Sequence, residues 1–124
     1  MKKVLLLFVL ALCFIGDSFA QDKKVKVTGN VTDFETAEPV GMATVQLLAL
    51  PDSIFHKGTT TDNQGHFEMD DRLKFGNYLI KISFVGYGDE YKSFIVDDDT
   101  RRVRFDSIRL KTDALLLKEA VIEA

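Results

Sequence analysis

The side chains of this chain that could do chemistry are few, and most crowd into one stretch. "TTTDNQGHFEM", Thr59 to Met69, sets Asp62, Asn63, Gln64, His66 and Glu68 around Gly65. An oxygen-rich loop of this kind can hold calcium, and a histidine among carboxylates can hold zinc or move protons. Calcium, however, takes about six oxygen ligands at alternating spacing, closed by a bidentate acid. After Asp62 no second carboxylate arrives before Glu68. Zinc takes three or four ligands, and the chain offers only His56 and His66. A four-residue turn at Asp62–Gly65 gives every residue a structural role instead. Asp and Asn tolerate tight turns, and Gly65 supplies the positive φ that such a turn uses. The register then expected puts Thr61 opposite His66, Thr59 opposite Glu68 and Lys57 opposite Asp70. Phe67 and Met69 point inward and His66, Glu68 and Asp70 outward. The stretch reads as a hairpin tip that binds no metal.

The remaining candidates are no stronger. Asp97, Asp98 and Asp99 read as a solvated loop, with Arg101, Arg102 and Arg104 beside them to neutralise the charge. Ser53, Ser83, Ser93 and Ser107 lie outside any G-x-S-x-G context and have no base next to them. "VGYGDE" has glycines but no helix after them to cradle a phosphate. Asp70–Asp71 and Asp89–Glu90 are sequence neighbours whose side chains diverge on a strand, unlike opposed catalytic carboxylates. No catalytic residue, cofactor-binding residue or metal ligand is assigned, and no cofactor is implied. The chain does not read as an enzyme.

Residues 1–20 stand apart. Lys2 and Lys3 precede an apolar run from Val4 to Ile15, and "GDSFA" ends with small residues at Ser18 and Ala20. This is the pattern of a secretory signal peptide cleaved after Ala20. Cys13 lies inside the apolar run with Leu12 before it, so ordinary cleavage is favoured over lipidation. Losing Lys2, Lys3 and Asp17 changes 16 basic and 19 acidic residues to 14 and 18, a net charge of −4. The only cysteine leaves too, which excludes disulfides, thiol catalysis and cysteine metal sites from the exported part. Scattered basic residues on an acidic chain carry no nucleic-acid signature.

From Gln21 onward the apolar pattern has a period of two, broken by turn residues at short intervals. Val25, Val27 and Val31 share one face against Lys24, Lys26, Asn30 and Thr32. Ala43, Val45, Leu47 and Ala49 alternate with Thr44, Gln46 and Leu48, and Tyr78, Ile80, Ile82 and Phe84 with Leu79, Lys81, Ser83 and Val85. In "VRFDSIRL" the phase slips near Ser107, the mark of a bulge. About seven short strands on about 100 residues predict an all-β fold, an antiparallel β-sandwich with one core.

Three segments in order carry a family resemblance. They are "GNVTDFETAEPVGMATVQLL", "DSIFHKGTTTDNQGHFEM" and "GNYLIKISFVGYGDEYKSF". Gly29, Val31, Asp33, Thr36, Pro39, Ala43 and Val45 carry the first, Thr61, Asp62, Gly65 and Phe67 the second. Gly76, Tyr78, Ile82, Gly86 and Tyr87 carry the third. Together they resemble the carboxypeptidase regulatory-like domain found at the N-terminus of TonB-dependent receptors and related outer-membrane β-barrel proteins of Bacteroidetes-type bacteria. Gly41 departs from the pattern, where the family often has a second proline. The resemblance implies a transthyretin-like or Ig-like sandwich without catalysis of its own. It also implies a cell-envelope location in the periplasm or at the outer membrane, and protein partners such as a plug or barrel domain.

A small carbohydrate-binding module is the alternative function, since similar sandwiches bind glycans. Tyr87, Tyr91 and Phe94 would be its stacking platforms. Residues 21–111 form the expected domain, and residues 112–124 the expected linker, with an eighth strand or short helix closing the same core as the competing reading. That tail holds Leu115, Leu116, Leu117, Val121 and Ile122, too apolar for an inert linker. An extended apolar segment can add to an exposed sheet edge, so Leu116, Val121 and Ile122 are candidate partner contacts. For the turn, saturating calcium or zinc should leave the melting temperature unchanged, because a ligand bound only to the folded state raises it by mass action. A saturable rise abolished by Asp62→Ala would overturn the metal-free reading.

Overall fold

The computed structural model describes residues 22–123, and side chains up to Glu119. The expected signal peptide, residues 1–20, lies outside the described residues. Seven strands run in order: β1 (Asp22–Asp33), β2 (Thr44–Ala49), β3 (Ile54–Thr60), β4 (His66–Lys74), β5 (Gly76–Ser83), β6 (Glu90–Val96) and β7 (Arg102–Leu110). One helix, α1 (Asp113–Glu123), follows. The strands form two sheets, ordered β4-β1-β7 and β3-β2-β5-β6.

The core is the one that the alternation predicts. Val25, Val27 and Val31 of β1, Val45 and Leu47 of β2, Phe67, Met69 and Leu73 of β4 and Tyr78, Ile80 and Ile82 of β5 are buried. Val96, Ile108 and Leu110 complete it from β6 and β7. Strand β3 contributes no buried side chain. The Tyr78 hydroxyl donates to the Lys74 carbonyl at 2.7 Å, which satisfies the polar end of a ring otherwise in the core.

Two pairings differ from the expected ones. The β3–β4 hairpin does not form: β3 pairs with β2, and β4 pairs with β1, so Thr28 lies opposite Glu68 and Asn30 opposite His66. The Asp62–Gly65 turn therefore carries the chain from one sheet to the other. The turn keeps two bonds of a hairpin tip, from the Asp62 amide to the His66 carbonyl and from the Gly65 amide to the Asp62 carbonyl, both at 2.9 Å. The competing partner is β1, which has room for Phe67. A Cβ on Gly29 would stand 2.6 Å from the Phe67 ring and 2.9 Å from the Phe105 carbonyl oxygen. Thr61 is buried at the crossing, where its hydroxyl donates to the Val40 carbonyl at 2.6 Å and accepts from the Ala43 amide at 2.9 Å.

The second difference is that β7 runs parallel to β1, so the sandwich is antiparallel in all pairs but this one. Gly29 pairs with Phe105 and Val31 with Ile108, which leaves an extra residue on β7 between them. This is the bulge that the phase slip near Ser107 predicts.

Ile82→Asp should unfold the domain. An unpaired buried carboxylate costs several kcal/mol, a large part of the ~5–15 kcal/mol that holds a domain together. A variant melting within a few degrees of wild type would show that Ile82 is not enclosed in solution.

Candidate functional site

The carboxylates that could have done chemistry are occupied by the backbone. Asp62 Oδ1 accepts from the amides of Gln64 and His66, both at 2.9 Å, and the His66 bond is foremost in holding its pKa low. Asp97 Oδ1 accepts from the Thr100 hydroxyl at 2.9 Å and the Asp99 amide at 3.0 Å, and the hydroxyl lowers its pKa most. Glu68 pairs with Lys26, and His66 Nδ1 lies 3.2 Å from Asn30 Oδ1. Among the described residues, no three histidine, cysteine or acidic side chains cluster as a metal site would need.

Among the described residues, Asp33 is the one buried acid. Its Oδ1 accepts from the amides of Glu35 at 2.8 Å and Thr36 at 3.1 Å, which shapes the turn after β1. Its Oδ2 accepts from the Tyr87 hydroxyl at 2.7 Å. That hydroxyl, followed by the two amides, holds the Asp33 pKa below the usual carboxylate range. The same bond, with burial behind it, raises the Tyr87 pKa. Sequence reasoning placed Asp33 and Tyr87 in different motifs, 54 residues apart, and had no signal that they meet.

The three expected aromatic platforms do not converge. Phe94 faces the core side of β6, stacked on Tyr78 with centroids 5.6 Å apart and edge-on to Phe105 at 6.2 Å. Tyr91, 49% exposed, faces the opposite side of the same strand. Tyr87 sits in the β5–β6 loop with its hydroxyl committed to Asp33.

The tail is not an extended segment, and the expectation is corrected: Asp113–Glu123 form α1. Thr112 caps it, its hydroxyl accepting from the Leu115 amide at 3.1 Å. Leu116 packs over Gly88, while the side chains of Val121 and Ile122 lie outside the described residues. No described helix is long and apolar enough to cross a membrane.

What the sheets leave open is asymmetric. The three-stranded sheet turns Lys24, Lys26, Glu68, Asp70, Arg102 and Arg104 outward. The four-stranded sheet turns out a mixed face: Phe55 beside the half-buried Leu48 and Leu48 beside the half-buried Leu79, then Ser93 opposite Leu79 with Tyr91 and Ile95 on either side of it, among Gln46, Asn77 and Lys81. Phe55 is 58% exposed and Ile95 64%. A groove lined by Leu50, Pro51, Asn77, Ser93, Phe94 and Ile95 continues this face at one end.

These features define an all-β sandwich of the transthyretin-like and Ig-like kind, with one charged outer face and one mixed face that carries exposed apolar side chains. The chain belongs to the CarboxypepD_reg-like domain family, whose model matches residues 27–122. No curated protein matches it in sequence. Among solved structures it is similar to a chlorocatechol 1,2-dioxygenase from Pseudomonas putida, at 11% identity and a TM-score of 0.57, covering 76% of this chain and 62% of that one. It is similar to the Bacillus anthracis TIE protein, at 15% identity and a TM-score of 0.59, covering 73% of this chain and 17% of that one. The backbone protein of group B streptococcus pilus 2b matches at 16% identity and a TM-score of 0.53, covering 74% and 42%. The chain thus spans less than two thirds of each of these proteins, and at such identities the likeness is one of fold.

The Asp33–Tyr87 pair makes stability depend on pH at both ends. Asp33 has a depressed folded pKa, so its contribution is present above about pH 4 and lost as pH falls through the depressed value. Tyr87 has a raised one, so its contribution is present below about pH 10 and lost as pH rises through the raised value. Melting curves across that range should show a shallower acid decline in Asp33→Asn and a shallower alkaline decline in Tyr87→Phe. Unchanged limbs in both variants would dissociate the pair from stability.

Proposed function

We propose that this chain is a non-catalytic, exported accessory module that acts by protein contact. In this reading it is the N-terminal domain of an outer-membrane TonB-dependent receptor or related β-barrel protein and serves nutrient uptake in the cell envelope. Family membership supports the module, and the signal-peptide pattern of residues 1–20 supports export. The observation that carries contact over chemistry is the division of the surface. The acids at the turns are spent on backbone amides, whereas Phe55, Leu48, Leu79, Ile95 and Tyr91 face out together. Large apolar side chains gathered on one exposed sheet face in this way support an interaction site. The plug or barrel domain is the partner, and the four-stranded sheet is the face that meets it.

A photo-crosslinking residue placed at Phe55 or Ile95 in the producing cells should yield an adduct with a β-barrel protein in the outer-membrane fraction. If the barrel lies on the same polypeptide, the adduct is internal and is read by peptide mapping. The same residue at Lys24 or Arg104, on the charged sheet, should yield none. Equal adducts from both faces, none from either, or a protein that stays in the cytoplasm would overturn the proposal.

A further inference from the structure

The start of α1 is gripped by the loop between β5 and β6. The Gly88 amide donates to the Lys111 carbonyl and the Asp113 amide donates to the Gly86 carbonyl, both at 2.9 Å, and Tyr87 forms a bridge with Thr112 between them. Gly86 has φ +89°, a conformation that favours glycine. Gly88 has no room for a Cβ, because Leu116 occupies that space. Tyr87 stands between the two glycines and ties this loop to the end of β1 by its bond to Asp33. Asp33 is immobile for its own reasons: its amide donates to the Glu38 carbonyl at 2.8 Å, and its carbonyl accepts from the Ala37 amide at 3.0 Å.

Beyond this grip the helix is lightly held. None of its described side chains belongs to the buried core. Leu117 is 69% exposed, and the Lys111 ammonium, 3.4 Å from Glu119, is an exposed ion pair of little strength. Eleven residues are too few for a stable helix in water without tertiary support.

We propose that residues 84–88 are a clasp and that the tail opens and closes on it as a unit of its own, with the Tyr87–Asp33 bond as its pin. Closed, the tail is the docked helix. Open, it loses its cap and its packing together, and Leu115, Leu116 and Leu117 become an extended apolar segment while the sandwich stays folded. Opening of this local kind has a free energy below that of global unfolding, since it breaks few buried contacts. Leu117 is exposed in either state, so what the clasp sets is whether the backbone of this apolar segment is tied up in the helix or available for pairing.

Amide hydrogen exchange on the intact chain tests the clasp. In Tyr87→Phe, exchange at Leu116 to Glu119 should speed up by roughly tenfold or more, as loss of a hydrogen bond to a charged group allows. Low concentrations of denaturant separate local from global opening, since opening of the tail alone exposes little surface. Exchange at Leu116 to Glu119 should be nearly independent of denaturant in wild type and in Tyr87→Phe, whereas exchange at Val45, Ile80 and Ile82 should rise steeply with it. Gly88→Ala displaces Leu116 without touching the phenol and should likewise speed the tail without making its exchange depend on denaturant. The proposal is overturned if tail exchange is unmoved in both variants. It is equally overturned if tail and core amides in wild type share one opening free energy and one denaturant dependence, because the tail would then open only when the whole domain does.

Discussion

The contact between Phe67 and Gly29 is the constraint on which most of this molecule depends. Strand β1 is the middle of its sheet, paired to β4 on one side and β7 on the other. A side chain at position 29 would collide with the Phe67 ring and the Phe105 carbonyl. Only the bare Cα lets the ring settle there and lets β7 bulge past on the other side. Gly65 repeats the logic one turn away: its carbonyl accepts from the Val31 amide at 2.7 Å, and a Cβ there would strike the Val31 carbonyl. The residues that carry the family pattern are thus one packing arrangement, in which small residues of one strand receive large or turning residues of the next.

The same arrangement explains what the turn acids do. Turns that switch sheets leave amides without strand partners, and a side-chain acceptor nearby in sequence satisfies them. Asp33, Asp62 and Asp97 supply it, each to residues two to four positions on. The Tyr87 hydroxyl for Asp33, the His66 amide for Asp62 and the Thr100 hydroxyl for Asp97 lower their pKa values most, with further turn amides behind them, because the carboxylate form accepts these bonds. A perturbed carboxylate here is a signature of turn construction.

The two outer faces have diverged in kind. A charged face keeps one sheet solvated, whereas the apolar side chains exposed on the other cost free energy in water for as long as they are uncovered. Edge strand β3 belongs to that second sheet and buries none of its own side chains, so Phe55 adds to the open face rather than to the core. The tail adds a third apolar element, Leu115 to Leu117, held at its start by a loop with two glycines and a tyrosine.

Alternation along each strand was legible in the sequence because a side chain's face depends only on its neighbours along the chain. Val27, Val45, Phe67 and Ile82 are buried as their phase requires, and the slip near Ser107 is a bulge. Turn positions were legible for the same local reason, since Gly65 and Asp62 act within four residues. Pairing was not. Strand β4 meets β1, about forty residues earlier, rather than its neighbour β3, because Gly29 admits Phe67 and nothing near the turn records that fit. The bond of Tyr87 to Asp33, the opposed faces of Tyr91 and Phe94, and the helix beyond Thr112 likewise depend on surfaces brought together from distant segments. In "DALLLKEAVIE" the helical stripe is too weak to announce itself, and it is the clasp and the Thr112 cap that give the helix its start. Local periodicity determined what each segment is, and long-range packing decided what each segment meets.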